Sequence, residues 1–106
     1  MSCTRIDFPE LVWMPGGHPL ERKKVSPTRP IGLLEFAPGF ADPNWCERSH
    51  LIYVVSGRLS LEFTDGVQRF ESGQSCLIDR GTRHRAQNDG EEAVIAFIAS
   101  EIEFGP

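Results

Sequence analysis

No stretch of this 106-residue chain stays apolar for long. The two longest apolar runs, LIYVV (51–55) and AVIAFIA (93–99), fall far short of the ~20 residues that a membrane-spanning helix needs. The opening MSCTRIDFPE carries charges early and has no apolar central segment, so it does not read as a secretory signal, and a cytoplasmic location is expected. Lys and Arg number 11 against 15 Asp and Glu, a formal charge of −4, which leaves no basic footprint for nucleic acid. Cysteine is scarce: Cys3, Cys46 and Cys76 make an odd set with no CxxC pair. A disulfide framework, a zinc ribbon and a thioredoxin-like motif are therefore not expected. Any metal chemistry must use scattered ligands gathered by the fold. No apolar pattern of helical period persists, and there is no internal repeat or low-complexity tract.

What is present is a series of short β-type runs punctuated by Gly, Pro and Asp. LVWM (11–14) has the makings of a short strand. PGGHPLERKKVSPTRP (15–30), rich in proline and charge, reads as a surface loop. IGLLEFA (31–37) resumes the strand pattern, and PGFADPN (38–44) is a turn-rich connection. RLSLEF (58–63) alternates Leu59, Leu61 and Phe63 against Arg58, Ser60 and Glu62. Asp65-Gly66 suits a type I′ hairpin leading into VQRFE (67–71). SCLI (75–78), RHRAQN (83–88) and AVIAFIA complete the series. The pattern predicts one all-β domain over residues 1–106, a sandwich or barrel, with a core at about 36–100 and a strand-and-loop extension at 1–30. LIYVV and AVIAFIA do not alternate, so both faces of these strands should be covered. The N-terminal segment is poor in strand residues, which favours a second copy as the cover and hence a homodimer.

Gly73, Asp79, Gly81, His84 and Asn88 are spaced as in the second conserved motif of the cupin superfamily, with Asp79 where proline is usual. By this resemblance the chain is similar to a small cupin, and the resemblance implies a double-stranded β-helix, or jelly-roll barrel. Gly57, separated from His50 by six residues, matches the end of the family's first motif. That motif implies a histidine pair and a glutamate as metal ligands. Here the glutamate position is His50. The pair falls on Asn44 and Cys46 or, with a one-residue deletion, on Trp45 and Glu47.

Side chains alternate along a strand, so Cys46 and His50 share a face if the segment is extended, and His84 should meet them from the opposite sheet. Two imidazoles and a thiolate make a first shell for one divalent transition metal, Zn, Fe, Ni or Cu. Glu47 is the alternative third ligand if a bulge shifts the register. The competing reading is a degenerate site in which the histidines are satisfied by hydrogen bonds and Cys46 packs as a small hydrophobe.

Arg48 shares the parity of His50 and is a candidate for holding a substrate carboxylate, or else pairs with a surface acid. Trp45 is a candidate wall at the barrel mouth or a subunit contact. Arg83 and Arg85 should point to solvent, Asp79 and Arg80 should pair on their turn, and His18 has no assigned role. Cys76 is expected to pack inertly, and Asn88 to satisfy local backbone groups. The functional expectation is a metal-binding enzyme of isomerase, dioxygenase or lyase type acting on a small polar metabolite. The alternative is a non-catalytic cupin that binds a small molecule or serves as a scaffold.

Overall fold

The computed structural model describes residues 2–101. Apart from one 3-10 turn at Phe8–Glu10, all regular structure among them is β. The strands are β1 (Met14–Pro15), β2 (Glu21–Val25), β3 (Ile31–Phe36), β4 (His50–Ser56), β5 (Arg58–Phe63), β6 (Gly66–Glu71), β7 (Ser75–Ile78), β8 (His84–Gln87) and β9 (Val94–Ser100). They form two antiparallel sheets, one ordered β1-β2-β3-β9-β4-β7 and the other β6-β5-β8. This is the jelly-roll barrel that the family resemblance implied. None of the described helical residues forms a segment long and apolar enough to cross a membrane.

Register explains which residues face inward. Ile52 lies opposite Ile98 and Val54 opposite Ala96, while Leu34 meets Ala96 from the other side. Leu59 and Leu61 face them from the small sheet. Phe36 and Phe40 stack with ring centroids 4.3 Å apart and close the layer. Gly57 turns β4 into β5 with φ of 80°, and a Cβ there would lie 2.5 Å from the Ala93 carbonyl oxygen. Only glycine satisfies both conditions.

Three expectations change. The segment at 15–30 is not all loop, because β2 pairs with β3 from Glu21↔Phe36 to Val25↔Gly32. Its charges do not forbid a strand, because their stems pack. Arg22 and Lys24 lie over the Trp13 ring at 4.7 and 5.0 Å, Arg22 bonds Glu35, and Lys24 Nζ donates to the Phe8 carbonyl. The 11–14 run contributes only its last residue to a strand, β1. The hairpin pairs Phe63 directly with Gly66, so Thr64 and Asp65 form the loop. Neither of these two has positive φ, so the turn is not type I′ on Asp65-Gly66.

The outer face of the large sheet is partly covered from within the chain. Phe8 packs edge-on against Phe97 at 6.1 Å. Tyr53, Val55 and Leu77 nevertheless remain 45%, 45% and 60% exposed.

Candidate metal centre

Cys46, His50 and His84 converge between the two sheets, with their ligand atoms all within 4.8 Å of one another. His50 opens β4 in the large sheet, and His84 opens β8 in the small one. Cys46 arrives by a route that alternation alone does not describe. It is not part of β4. It forms an isolated bridge with His84, its N–H donating to the His84 carbonyl at 2.8 Å and its carbonyl accepting from His84 N–H at 2.9 Å. The chain then crosses from the small sheet to the large one through Glu47, Arg48 and Ser49. Cys46 and His50 thus meet because the strand breaks between them.

Both imidazoles are held from behind. His84 Nδ1 lies 2.8 Å from the Thr82 carbonyl oxygen. A carbonyl can only accept, so Nδ1 carries a proton, and in the neutral tautomer Nε2 is the lone-pair atom. His50 Nδ1 lies 2.9 Å from Ser100 Oγ, and its Nε2 lies 3.5 Å from Cys46 Sγ. Tetrahedral bonds of ~2.0 Å to nitrogen and ~2.3 Å to sulfur place such atoms roughly 3.5 Å apart. The Cys46–His50 spacing already fits. Burial, reinforced by the neighbouring His84 and Arg48, lowers the His50 pKa to about 4, so its ring is neutral at physiological pH.

The cluster lines a cavity of about 130 Å³ whose walls include Leu34, Phe36, Ile52, Leu59, Leu61 and Ile98. Its charged lining residues are Glu21, Asp42 and Arg85. None of these three was a sequence candidate: Glu21 lay inside the run read as loop, Asp42 in a turn, and Arg85 was expected to point to solvent. Arg85 instead makes a two-pronged ion pair with Glu62 at 3.0 and 3.2 Å and stacks over Trp45 at 4.2 Å. Trp45 lines a neighbouring hollow together with His18, Asp42 and Cys46. His18 is not idle either, since it packs edge-on against Phe40 at 5.0 Å.

Other candidates lie outside the cluster. Glu47 is exposed, and its backbone carbonyl accepts from Gly81 N–H at 2.8 Å. Asn44 is also exposed. Arg48 is exposed and bonds Glu101 at 2.8 Å, and Arg80 pairs with the same carboxylate at 3.0 Å rather than with Asp79. Glu101 sits within reach of both because its backbone N–H donates to the Ser49 carbonyl. Asn88 serves the backbone, donating to the carbonyls of Phe36 and Glu92 and accepting from Gly90 N–H. Cys76 is packed, and burial raises its thiol pKa to about 11, which keeps it unreactive.

The family model of the cupin domain matches residues 32–100. No curated protein matches the chain. Among solved structures it is similar to KdgF from Halomonas sp., with 18% identity, a TM-score of 0.75 and 97% of each chain covered. It is also similar to the polyketide cyclase RemF from Streptomyces resistomycificus, with 18% identity, a TM-score of 0.71, and 98% of this chain and 83% of that one covered. A third similar structure is Drosophila melanogaster CENP-C bound to CAL1, with 16% identity, a TM-score of 0.72, and 89% of this chain and 84% of that one covered. At these identities the likeness concerns the fold.

Proposed function

The chain belongs to the cupin domain family, and from that premise we propose that it is a metal-dependent enzyme acting on a small molecule, with Cys46, His50 and His84 holding one divalent transition metal. The observation that carries this reading is the anchoring of both Nδ1 atoms away from the cluster. This is the usual outer support of metal-bound histidines, and it leaves two Nε2 atoms and one sulfur to share an ion. The sulfur favours softer members of the Zn, Fe, Ni and Cu set.

Three protein ligands leave a position open, as in catalytic rather than structural zinc sites. A bound ion would supply Lewis acidity or, as iron, oxygen activation. The chain's own groups do the rest. Ser100 and the Thr82 carbonyl orient the rings, the apolar walls exclude water, and Glu21 and Asp42 offer carboxylates at the cavity lining for proton exchange. Isomerase, dioxygenase and lyase chemistry are all compatible with such a centre, because fold does not select the reaction.

Metal analysis tests the proposal. Stoichiometric Zn, Fe, Ni or Cu that is lost from a His50→Ala/His84→Ala variant supports it. A metal-free protein whose melting temperature ignores all four added ions overturns it.

A second reading, a non-catalytic cupin that binds a ligand or serves as a scaffold, is favoured by the missing histidine pair and glutamate: the exposed Asn44 and Glu47 supply nothing to the cluster. It predicts ligand binding without turnover and without dependence on metal.

We also infer a homodimer, supported by the apolar face that Tyr53, Val55 and Leu77 leave open.

A further inference from the structure

We infer that the side chains of the cavity suit a compact, uncharged and largely apolar molecule, and that they offer a carboxylate or phosphate no partner. This deepens the metal-centre reading, since a single lone-pair atom on such a ligand would take the open position. The binding of its carbon skeleton does not depend on metal.

The first observation is what the cavity lacks. Among the described residues, no unpaired cation lines it. Arg85 is the one cationic residue among its lining groups, and Glu62 already holds its guanidinium with two bonds while Trp45 covers one face. Arg48, which the sequence offered as a carboxylate clamp, is exposed, bonded to Glu101 and absent from the lining. In the metal-free cavity a carboxylate or phosphate would lose its hydration and find no free side-chain cation.

The second observation is the approach. The cavity adjoins an outer hollow of about 220 Å³, and the two share Glu21, Phe40, Asp42 and Cys46. A ligand taking this route passes between the β1–β2 hairpin and the segment at 42–46. Two carboxylates flank that passage. Glu21 Oε1 accepts from Gly17 N–H, and Asp42 Oδ1 accepts from Asn44 N–H, so each stays anchored by the local backbone. Their field repels anions and admits neutral molecules and metal ions.

The third observation is size and wall chemistry. The volume of about 130 Å³ is close to the ~150 Å³ of an apolar cavity that binds benzene. Leu34, Phe36, Ile52, Leu59, Leu61 and Ile98 offer side chains without hydrogen-bonding groups. A sugar acid would bring many hydroxyls against these six side chains, which cannot bond them. A ring of benzene or phenol size matches both the room and the surface.

The test uses metal-stripped protein, so that failure of the metal reading leaves the result interpretable. Methyl resonances of Leu34, Ile52, Leu59, Leu61 and Ile98 are followed while benzene, phenol, acetate or glycerol is added. Saturable shifts at these methyls with benzene and phenol, and none with acetate or glycerol, are expected. An Ala96→Leu variant, which fills the cavity from β9, should weaken benzene binding at least tenfold. A Glu21→Gln/Asp42→Asn variant, which removes the two carboxylates shared by the cavity and the outer hollow, should let acetate shift these methyls saturably where the wild type shows no shift. Acetate or glycerol shifting the wild-type methyls while benzene does not would overturn the inference. So would a Glu21→Gln/Asp42→Asn variant whose methyls still ignore acetate.

Discussion

His50 and His84 stand edge to face, with ring centroids 5.0 Å apart and planes at 88°, each carried on a different sheet. Neither ring is free to turn, because Ser100 and the Thr82 carbonyl hold their Nδ1 atoms. The site therefore depends on how the two sheets are spaced, and the consequences can be measured.

Loss of the hydroxyl behind His50 should weaken metal binding without removing a ligand. Ser100→Ala is expected to lower zinc affinity about tenfold, at the low end for such outer supports. Cys46→Ala should cost more than Ser100→Ala, and Glu47→Ala should change nothing, since Glu47 is exposed away from the cluster. Competition titration against a chromophoric chelator reads all three. Equal losses for Cys46→Ala and Glu47→Ala would remove Cys46 from the ligand set.

Metal-free protein should lose stability as pH falls below 6.5. Burial is the main reason the folded state keeps His50 neutral down to about 4, whereas the unfolded chain takes a proton near 6.5. Between these values the unfolded state binds more protons, so unfolding free energy rises with pH. The loss from pH 7 to pH 4 attributable to His50 is about 2–3 kcal/mol. Urea melts at both pH values, repeated on His50→Gln, isolate this contribution. An identical pH dependence in the variant would show that His50 is not the group responsible.

Gly57→Ala should be far more damaging than Gly81→Ala. Both residues have positive φ, 80° and 90°, so either alanine suffers the left-handed penalty of about 1–2 kcal/mol. At Gly57 the new methyl also meets the Ala93 carbonyl oxygen at 2.5 Å, whereas at Gly81 it meets nothing within 4 Å. Backbone would have to move at Gly57, for a total of about 2–4 kcal/mol. Thermal unfolding that ranks the two variants equally would contradict this account.

A charge placed on the open face of the large sheet should dissociate the inferred dimer. Leu77→Lys and Tyr53→Lys change side chains that are 60% and 45% exposed in the single chain, so folding should survive. Sedimentation velocity should show dimer for wild type and monomer for both variants. A wild-type protein that sediments as a monomer at high concentration ends the dimer proposal.

Much of the barrel was readable from residue order. Leu59 and Leu61 alternate with polar neighbours and are buried as that alternation implies, and the apolar LIYVV and AVIAFIA runs are the adjacent strands β4 and β9. The first third was harder, because β2 is written in charges. Its strand character comes from pairing with β3 and from Trp13 beneath two cationic stems, partners that no local pattern reveals. Arg48 and Arg85 each settle on a carboxylate, Glu101 and Glu62: parity assigns a side to a side chain, but the nearest carboxylate decides where a long guanidinium stem settles.

By itself the sequence determined that this is an all-β chain, that the glycine at 81 allows a sharp turn, and that His84 follows that turn into a strand. These are local properties, written in side-chain alternation and in allowed backbone angles. That Cys46 reaches His50, that Ser100 and Thr82 stand behind the rings, and that Glu21 and Asp42 guard an apolar cavity were decided only when two sheets closed on each other. Those contacts join residues far apart in the chain, and their distances depend on how the whole barrel packs.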